Sequence, residues 1–353
     1  MIILLFGVLW GILLCLLLSA PFPYTPLFTV LFIISIAVLV SAKKMLIINK
    51  KYIIYSVAVF IFSYILTCYV IFKPPSQDFI NFGTISQNKR AVIFLCEGEM
   101  EKYTPYYTNY FLQDKPFYLK PIYSYRIKKI YSKLDVNSKN NNLSLIARDV
   151  KSSILSYKPY YFYIAYLGYT PSLSDAITYA VNDGCSEIII INYTFDNNLF
   201  EKTKKFVDYN KLTSNGISIK FSKSVQETGE FQQYITEKII NMPAKFDGII
   251  LLTKNSEVAT IIKSHLNEHF RKDDIFLITD DLDYGINYFI KKQCSNILYV
   301  CLDESSSGIM TEYFYPKIAL KYSDKIKIVG IKDWGYDKLL VKAAIKCFLE
   351  NEK

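Results

Sequence analysis

The sequence predicts an α/β protein, with two similar Rossmann-like parallel-sheet lobes preceded by three transmembrane helices. Two observations lead there. Residues 1–73 contain no Asp or Glu, and their only charges are Lys43, Lys44, Lys50, Lys51 and Lys73. From residue 91 onward, short apolar runs alternate with amphipathic stretches. That alternation is the pattern of parallel strands buried on both faces by intervening helices.

The elements follow in order. Met1–Ala20 is an apolar run of about the ~20 residues that cross a bilayer, and no basic residue follows Met1 as a secretory signal requires. Pro21 to Pro26 form an uncharged turn, and Leu27–Ala42 and Tyr52–Phe72 are the second and third spans. Residues 74–90 read as a linker. The strand-like runs are Ala91–Cys96, Tyr161–Tyr166, Ile188–Asn192, Ile217–Phe221, Gly248–Leu252, Ile275–Ile278, Ile297–Cys301 and Ile326–Val329. The helical runs between them include Leu143–Tyr157, Ser172–Asn182, Val225–Asn241, Val258–Phe270, Gly285–Lys292 and Asp337–Glu350. The polar, Gly-containing stretch 208–216 predicts the break between a first lobe, 91–215, and a second, 216–353.

Charge and composition exclude several functions. The chain carries 41 Lys and Arg against 32 Asp and Glu. Five of the cations belong to residues 1–73, which leaves 36 against 32 in the remainder, too even a balance for a nucleic-acid surface. A hydrophobic share of 51% excludes disorder. The seven Cys show neither disulfide-framework nor C-x-x-C spacing. There is no G-x-G-x-x-G and no phosphate loop. SHLNEHF spells H-x-x-E-H with His265 and His269, but no third ligand segment accompanies it, so a solvated helix face is the expectation and no metal site is assigned. Asp273, Asp274, Asp280, Asp281 and Asp283 read as loop charges and helix caps. Asp303 and Glu304 stand at a strand end, where parallel sheets place ligands.

Four stretches occur in an order that resembles the ferrochelatase family, which inserts iron into porphyrins. AVIFLCEGEMEKYTPYYTNYFLQDK holds Gly98 and Asp114 at positions matching the family's first strand, loop and helix. IYSYRIKKIYSKL and NNNLSLIARDV match through Arg126, Tyr131 and Leu143–Leu145, with Asn140, Asn141 and Asn142 where the family has glycines. YYFYIAYLGYTPSLSDAITYAVNDGCSEIIIINYTFDNN matches at Pro171, Asp183, Gly184 and Tyr193, with Thr194 replacing a Pro. The end of the chain resembles the closing strand–helix unit. The likeness runs from Ala91 to Glu350 and leaves out the membrane segment.

The resemblance implies a chelatase-like fold with a tetrapyrrole between the lobes. It also marks departures. Lys254 stands where the family has its His, and Ser305 and Ser307 stand at the His and Glu of a later phrase. An ammonium has no lone pair for a pyrrole proton or a metal. The resemblance therefore implies a membrane-anchored protein without the catalytic pair, binding haem, a porphyrin or a similar apolar ligand through Glu97, Gly98, Tyr103, Tyr107, Tyr193, Lys254, Asp303 and Glu304. Two rivals stay open: a divergent chelatase working through Asp303, Glu304 or Cys96, and a two-lobed extracytoplasmic binding or sensor domain. The sequence identifies no protein partner.

Sidedness rests on opposed signals. Four lysines around the second loop put that loop in the cytoplasm and, after three spans, residues 74–353 outside. The odd number of Cys beyond residue 90 reads instead as reduced core thiols of a cytosolic domain. The lysine count weighs toward the exterior, so a reporter fused after Lys51 is expected to read cytoplasmic. Protection of that loop from cytoplasmic labelling reagents would reverse every segment.

Overall fold

The computed structural model describes residues 2–42, 50–73, 86–105, 108–109, 112, 114–134, 140–196, 198–270 and 275–352. They fall into two compact units: residues 1–75 with 100–135, and residues 76–99 with 136–353.

The first unit is helical. Its N-terminal helices are Ile2–Ser19, Thr25–Ala42 (preceded by a 3-10 turn, Phe22–Tyr24) and Lys50–Ile71. Among the described residues, two stretches, Phe22–Ser41 and Lys51–Ile71, are long and apolar enough to cross a membrane, where the sequence led us to expect three. The first helix stops at Ser19 because Pro21 follows. Its apolar stretch, Ile3–Ser19, is shorter than Phe22–Ser41 and Lys51–Ile71. This helix packs on Lys50–Ile71 through small residues. A Cβ on Gly7 would lie 2.6 Å from the Ser56 carbonyl oxygen, and one on Gly11 would lie 2.5 Å from that of Phe60. Small residues four apart let two backbones approach in this way.

Residues 100–135, expected in the first α/β lobe, group with these helices instead. The physical reason is capping. The last carbonyls of a helix have no intrahelical donor. Tyr103 donates its hydroxyl to the Ser19 carbonyl at 2.7 Å. The Lys128 ammonium donates to the carbonyls of Leu17 (3.0 Å) and Ala20 (3.1 Å) and to the Thr25 hydroxyl (3.2 Å). The Asn109 amide donates to the Phe72 carbonyl at 3.0 Å. Lys128, on the helix Lys120–Tyr131, is wholly buried.

The second unit holds two four-stranded parallel sheets. We label the strands β1 (Ser86–Cys96), β2 (Tyr161–Tyr166), β3 (Cys185–Tyr193), β4 (Ser218–Ser224), β5 (Gly248–Leu252), β6 (Phe276–Thr279), β7 (Asn296–Cys301) and β8 (Lys327–Ile331). The orders are β2-β1-β3-β4 and β6-β5-β7-β8, the same doubly wound pattern twice. All eight predicted strands are present. The boundary between the sheets falls after β4, not at 215/216. The polar stretch is the short helix Tyr209–Ser214, capped by the Asp208 carboxylate on the Lys211 N–H (3.0 Å) and closed by Gly216 at φ +81°. A helix ending in Asn-Gly carries the composition of a linker.

Alternation decides which core each strand face enters. Val92, Phe94 and Cys96 of β1, with Ile249 and Leu251 of β5, enter one cluster shared by the two sheets. Ala91, Ile93 and Leu95 enter a second cluster, and Ile250 and Leu252 a third. The C-terminal helix Lys338–Glu352 returns to β3 and β4 of the first sheet and contributes Ala343, Ala344, Cys347 and Phe348 to the shared core. Trp334 lies there fully buried, its ring edge-on to Tyr193 (5.2 Å) and Phe231 (4.8 Å). Its indole N–H donates to the Leu302 carbonyl at 2.8 Å.

Trp334→Ala is therefore expected to cost the full chain about 3–5 kcal/mol in urea unfolding. Trp334→Phe keeps the ring contacts and should cost clearly less. Equal losses in the two variants would mean that the indole hydrogen bond, not the packing, dominates.

Candidate functional site

The site is built where β1 and β7, one strand from each sheet, run out. After Cys96 the chain reads Glu97, Gly98, Glu99. Gly98 adopts φ +61°, and a Cβ there would run into the Tyr166 ring, so only glycine makes this turn without strain. Backbone pairing continues past the strand end, with Leu167 N–H on the Cys96 carbonyl (3.0 Å) and Gly168 N–H on that of Glu97 (2.9 Å). The Asn140 side chain clamps Glu99, accepting from its N–H (3.0 Å) and donating to its carbonyl (2.9 Å).

From β7 the chain continues Leu302, Asp303, Glu304. The Asp303 carboxylate accepts the Thr253 hydroxyl and the backbone N–H of Lys254 (2.8 Å), which fixes the end of β5 to the end of β7. Glu304 accepts a long bond from the Tyr315 hydroxyl at 3.4 Å. The following loop reaches across to the first sheet's turn, where the Ile309 N–H donates to the Glu99 carboxylate at 3.2 Å. At Gly308 a side chain would collide with that carboxylate.

Four carboxyls thus gather at the carboxyl ends of two sheets. Burial pushes Glu304 up to about 8, and the charges of Asp303 and Glu99 add to the shift. Burial likewise raises Glu97 well above the carboxylate range, with Glu304, Asp303 and Glu99 adding to it and Lys202 opposing it. Asp303 is raised by burial and held back by its Thr253 and Lys254 hydrogen bonds. Each carboxyl makes the ionised form of the next more costly, which adds to the effect of burial on Glu97 and Glu304. Among the described residues, no group of three or more His, Cys, Asp or Glu is disposed to hold a metal ion.

The other expected site residues scatter. Lys254 is exposed, its ammonium over the Phe195 ring at 5.8 Å. Tyr193 is wholly buried and tilted on Phe94 at 4.9 Å, as a core residue is. Tyr103 caps a helix of the first unit, and Tyr107 lies outside the described residues. Cys96 is buried with its thiol toward the Ala165 carbonyl (3.5 Å). Ser307 donates to Glu312 at 2.9 Å, and Ser305 is buried. Of the Asp cluster, Asp281 caps the helix Leu282–Lys291 and Asp283 pairs with Lys321 (3.1 Å), while Asp273 and Asp274 lie outside the described residues. Sequence reasoning missed Glu99 and Tyr315. The signal for Glu99 was the glycine between two Glu at a strand end, which implies a turn that brings both carboxyls to one place.

No family model matches the chain, and no curated protein matches it in sequence. Among solved structures, it is similar to the cobalt complex of the sirohydrochlorin chelatase SirB from Bacillus subtilis subspecies spizizenii. The TM-score is 0.48 at 10% identity, covering 74% of this chain and 94% of that one. SirB from Bacillus subtilis with Fe3+ gives 0.47 at 13% identity, covering 74% and 95%. A multi-domain protein from Deinococcus radiodurans, described as structurally similar to chelatases, gives 0.43 at 8% identity, covering 73% and 54%.

The carboxyl set makes stability depend on pH in a defined direction. Glu304 is raised from 4.5 to about 8. Between those values the folded chain holds a proton that the unfolded chain has released, so stability falls as pH rises through this window. The melting temperature of the full chain should drop between about pH 5 and about pH 8, and Glu304→Gln should flatten that drop. An unchanged slope in the variant would show that Glu304 is not desolvated.

Proposed function

We propose that the α/β unit binds a tetrapyrrole at the carboxyl ends of β1 and β7, and that the N-terminal helices tether it to a membrane. One observation carries the binding site: Glu97, Asp303 and Glu304 stand at the ends of two separate parallel sheets, where burial, with their mutual charge, raises each above the ordinary carboxylate range. Neutral carboxyls in such a place donate hydrogen bonds, which suits a ligand carrying carboxylates and imine nitrogens. The tetrapyrrole class is supported by the sequence resemblance between Ala91 and Glu350. The tether is supported by the two apolar stretches Phe22–Ser41 and Lys51–Ile71, whose side chains face outward along much of their length.

The chemistry of the donor set favours a metal-free ring over haem. Both His residues are at or just past the end of the helix Ser256–Asn267, away from the strand-end residues in the chain, and Cys96 is enclosed. In the family that the sequence resembles, an imidazole beside a carboxylate accepts the pyrrole protons. Here the matching positions are Lys254 and Ser307, and burial raises the strand-end carboxyls Glu97 and Glu304, which makes them poorer proton acceptors near neutral pH. Binding without turnover is the outcome this chemistry favours.

A second reading, a divergent chelatase, draws on a specific observation. Glu304 ionises near pH 8, so above that pH it becomes a proton acceptor. The full chain in detergent is expected to quench and shift porphyrin fluorescence on binding, with zinc insertion negligible at neutral pH. Insertion that switches on through about pH 8 and falls ~10²–10⁴-fold in Glu304→Gln would select the enzyme. Absence of both binding and turnover would leave the unrelated binding domain standing.

A further inference from the structure

The helical unit contains a pair of thiols that the reading above does not use. Cys15, on the helix Ile2–Ser19, and Cys68, on Lys50–Ile71, have their sulfur atoms 3.6 Å apart and are both fully buried. They are 53 residues apart in sequence. A disulfide needs sulfurs at ~2.05 Å and close backbones. The backbones are close for a reason visible in the sequence. Gly7 and Gly11 lie two turns and one turn before Cys15, and they seat this helix on Ser56 and Phe60 of the other. Closing the bond brings the two sulfurs about 1.5 Å nearer than they stand. The other described cysteines have no such neighbour; Cys294, the only one with partial exposure, has its thiol toward the Asp247 carbonyl.

We propose that Cys15 and Cys68 are a redox pair that closes to a disulfide linking the first and third helices. The surroundings select the oxidant. Both thiols are enclosed by apolar helices, surroundings that favour an uncharged two-electron acceptor of the quinone class over a charged peptide disulfide. The step balances. One thiol loses its proton and its sulfur bonds to the other, the two S–H bonds give way to one S–S bond, and the quinone takes two electrons and two protons to become the hydroquinone. The inference goes beyond the proposed tetrapyrrole binding and does not depend on it.

The test uses the full chain in lipid nanodiscs with a protease site inserted within residues 43–49. Tetramethylbenzoquinone, which lacks a free ring position for thiol addition, is the oxidant. After oxidation and cleavage, the two fragments are expected to migrate as one species without reductant and to separate with it. Cys68→Ala should abolish the joined species, and a peptide containing Cys15 and Cys68 two hydrogens lighter should appear only in the parent. Oxidised glutathione should give far less of the joined species. Fragments that separate while Cys294 becomes oxidised would overturn the proposal, as would a joined species that persists in Cys68→Ala.

Discussion

The Leu302 carbonyl is the contact on which the α/β unit depends. A buried carbonyl must find a donor, and this one takes two: the Trp334 indole N–H and the Gln226 amide. The Leu302 N–H in turn donates to Leu252 of β5 at 3.0 Å. The Trp334 backbone carries the connection further. Its N–H reaches the Glu304 carbonyl (3.1 Å), and its carbonyl accepts the Tyr234 hydroxyl and the Lys238 ammonium. One residue after β7 therefore joins the end of β5, the segment after β4, the helix Gly229–Ile240 and the loop leading to the last helix. Asp303 and Glu304 come next in the chain. Their direction is set by that hydrogen-bond web before any ligand is considered.

The electrostatics follow from this rigidity. Free side chains would swing like charges apart into water. Here Asp303 is tied to Thr253 and Lys254, and Glu99 is tied to Asn140 through its backbone and to Ile309 through its carboxylate. Burial raises Glu304, and these neighbours, which it cannot avoid, raise it further. The exposed ion pairs elsewhere on the unit, such as Arg90 with Glu187 at 2.8 Å, carry little weight by comparison because water screens them.

Much of this was legible in the sequence. Every strand was, because an apolar run of β-branched residues between amphipathic stretches has one stable solution, a covered parallel strand. Asp303 and Glu304 were legible for the same reason, as charges immediately after such a run. What the sequence hid were partnerships without local period. Lys128 reads as one cation among several on a basic helix, yet it is buried against carbonyls more than a hundred residues earlier. Tyr103 and Tyr193 read alike as aromatics near strand ends. One caps a helix and the other fills the core, and only long-range packing separates them. The stretch 208–216 was ambiguous in principle, since a capped helix ending in Asn-Gly and a linker share their residues.

Lys128 also finishes the end of the first helix. That helix has no basic residue in its own last turn, and a cation there is what its terminal carbonyls favour. Lys128 supplies the cation from a separate element, and desolvation lowers its affinity for a proton. Three oxygen acceptors and the rings of Phe22 and Tyr125, at 5.6 and 5.4 Å, offset that cost. A helix whose end is finished by protein atoms need not reach a lipid interface to satisfy its backbone. It can therefore be shorter than a spanning helix and still be fully formed. The segment 100–135, which follows the first strand where the family resemblance would look for pocket-lining aromatics, thus includes residues whose visible work is to complete helix ends.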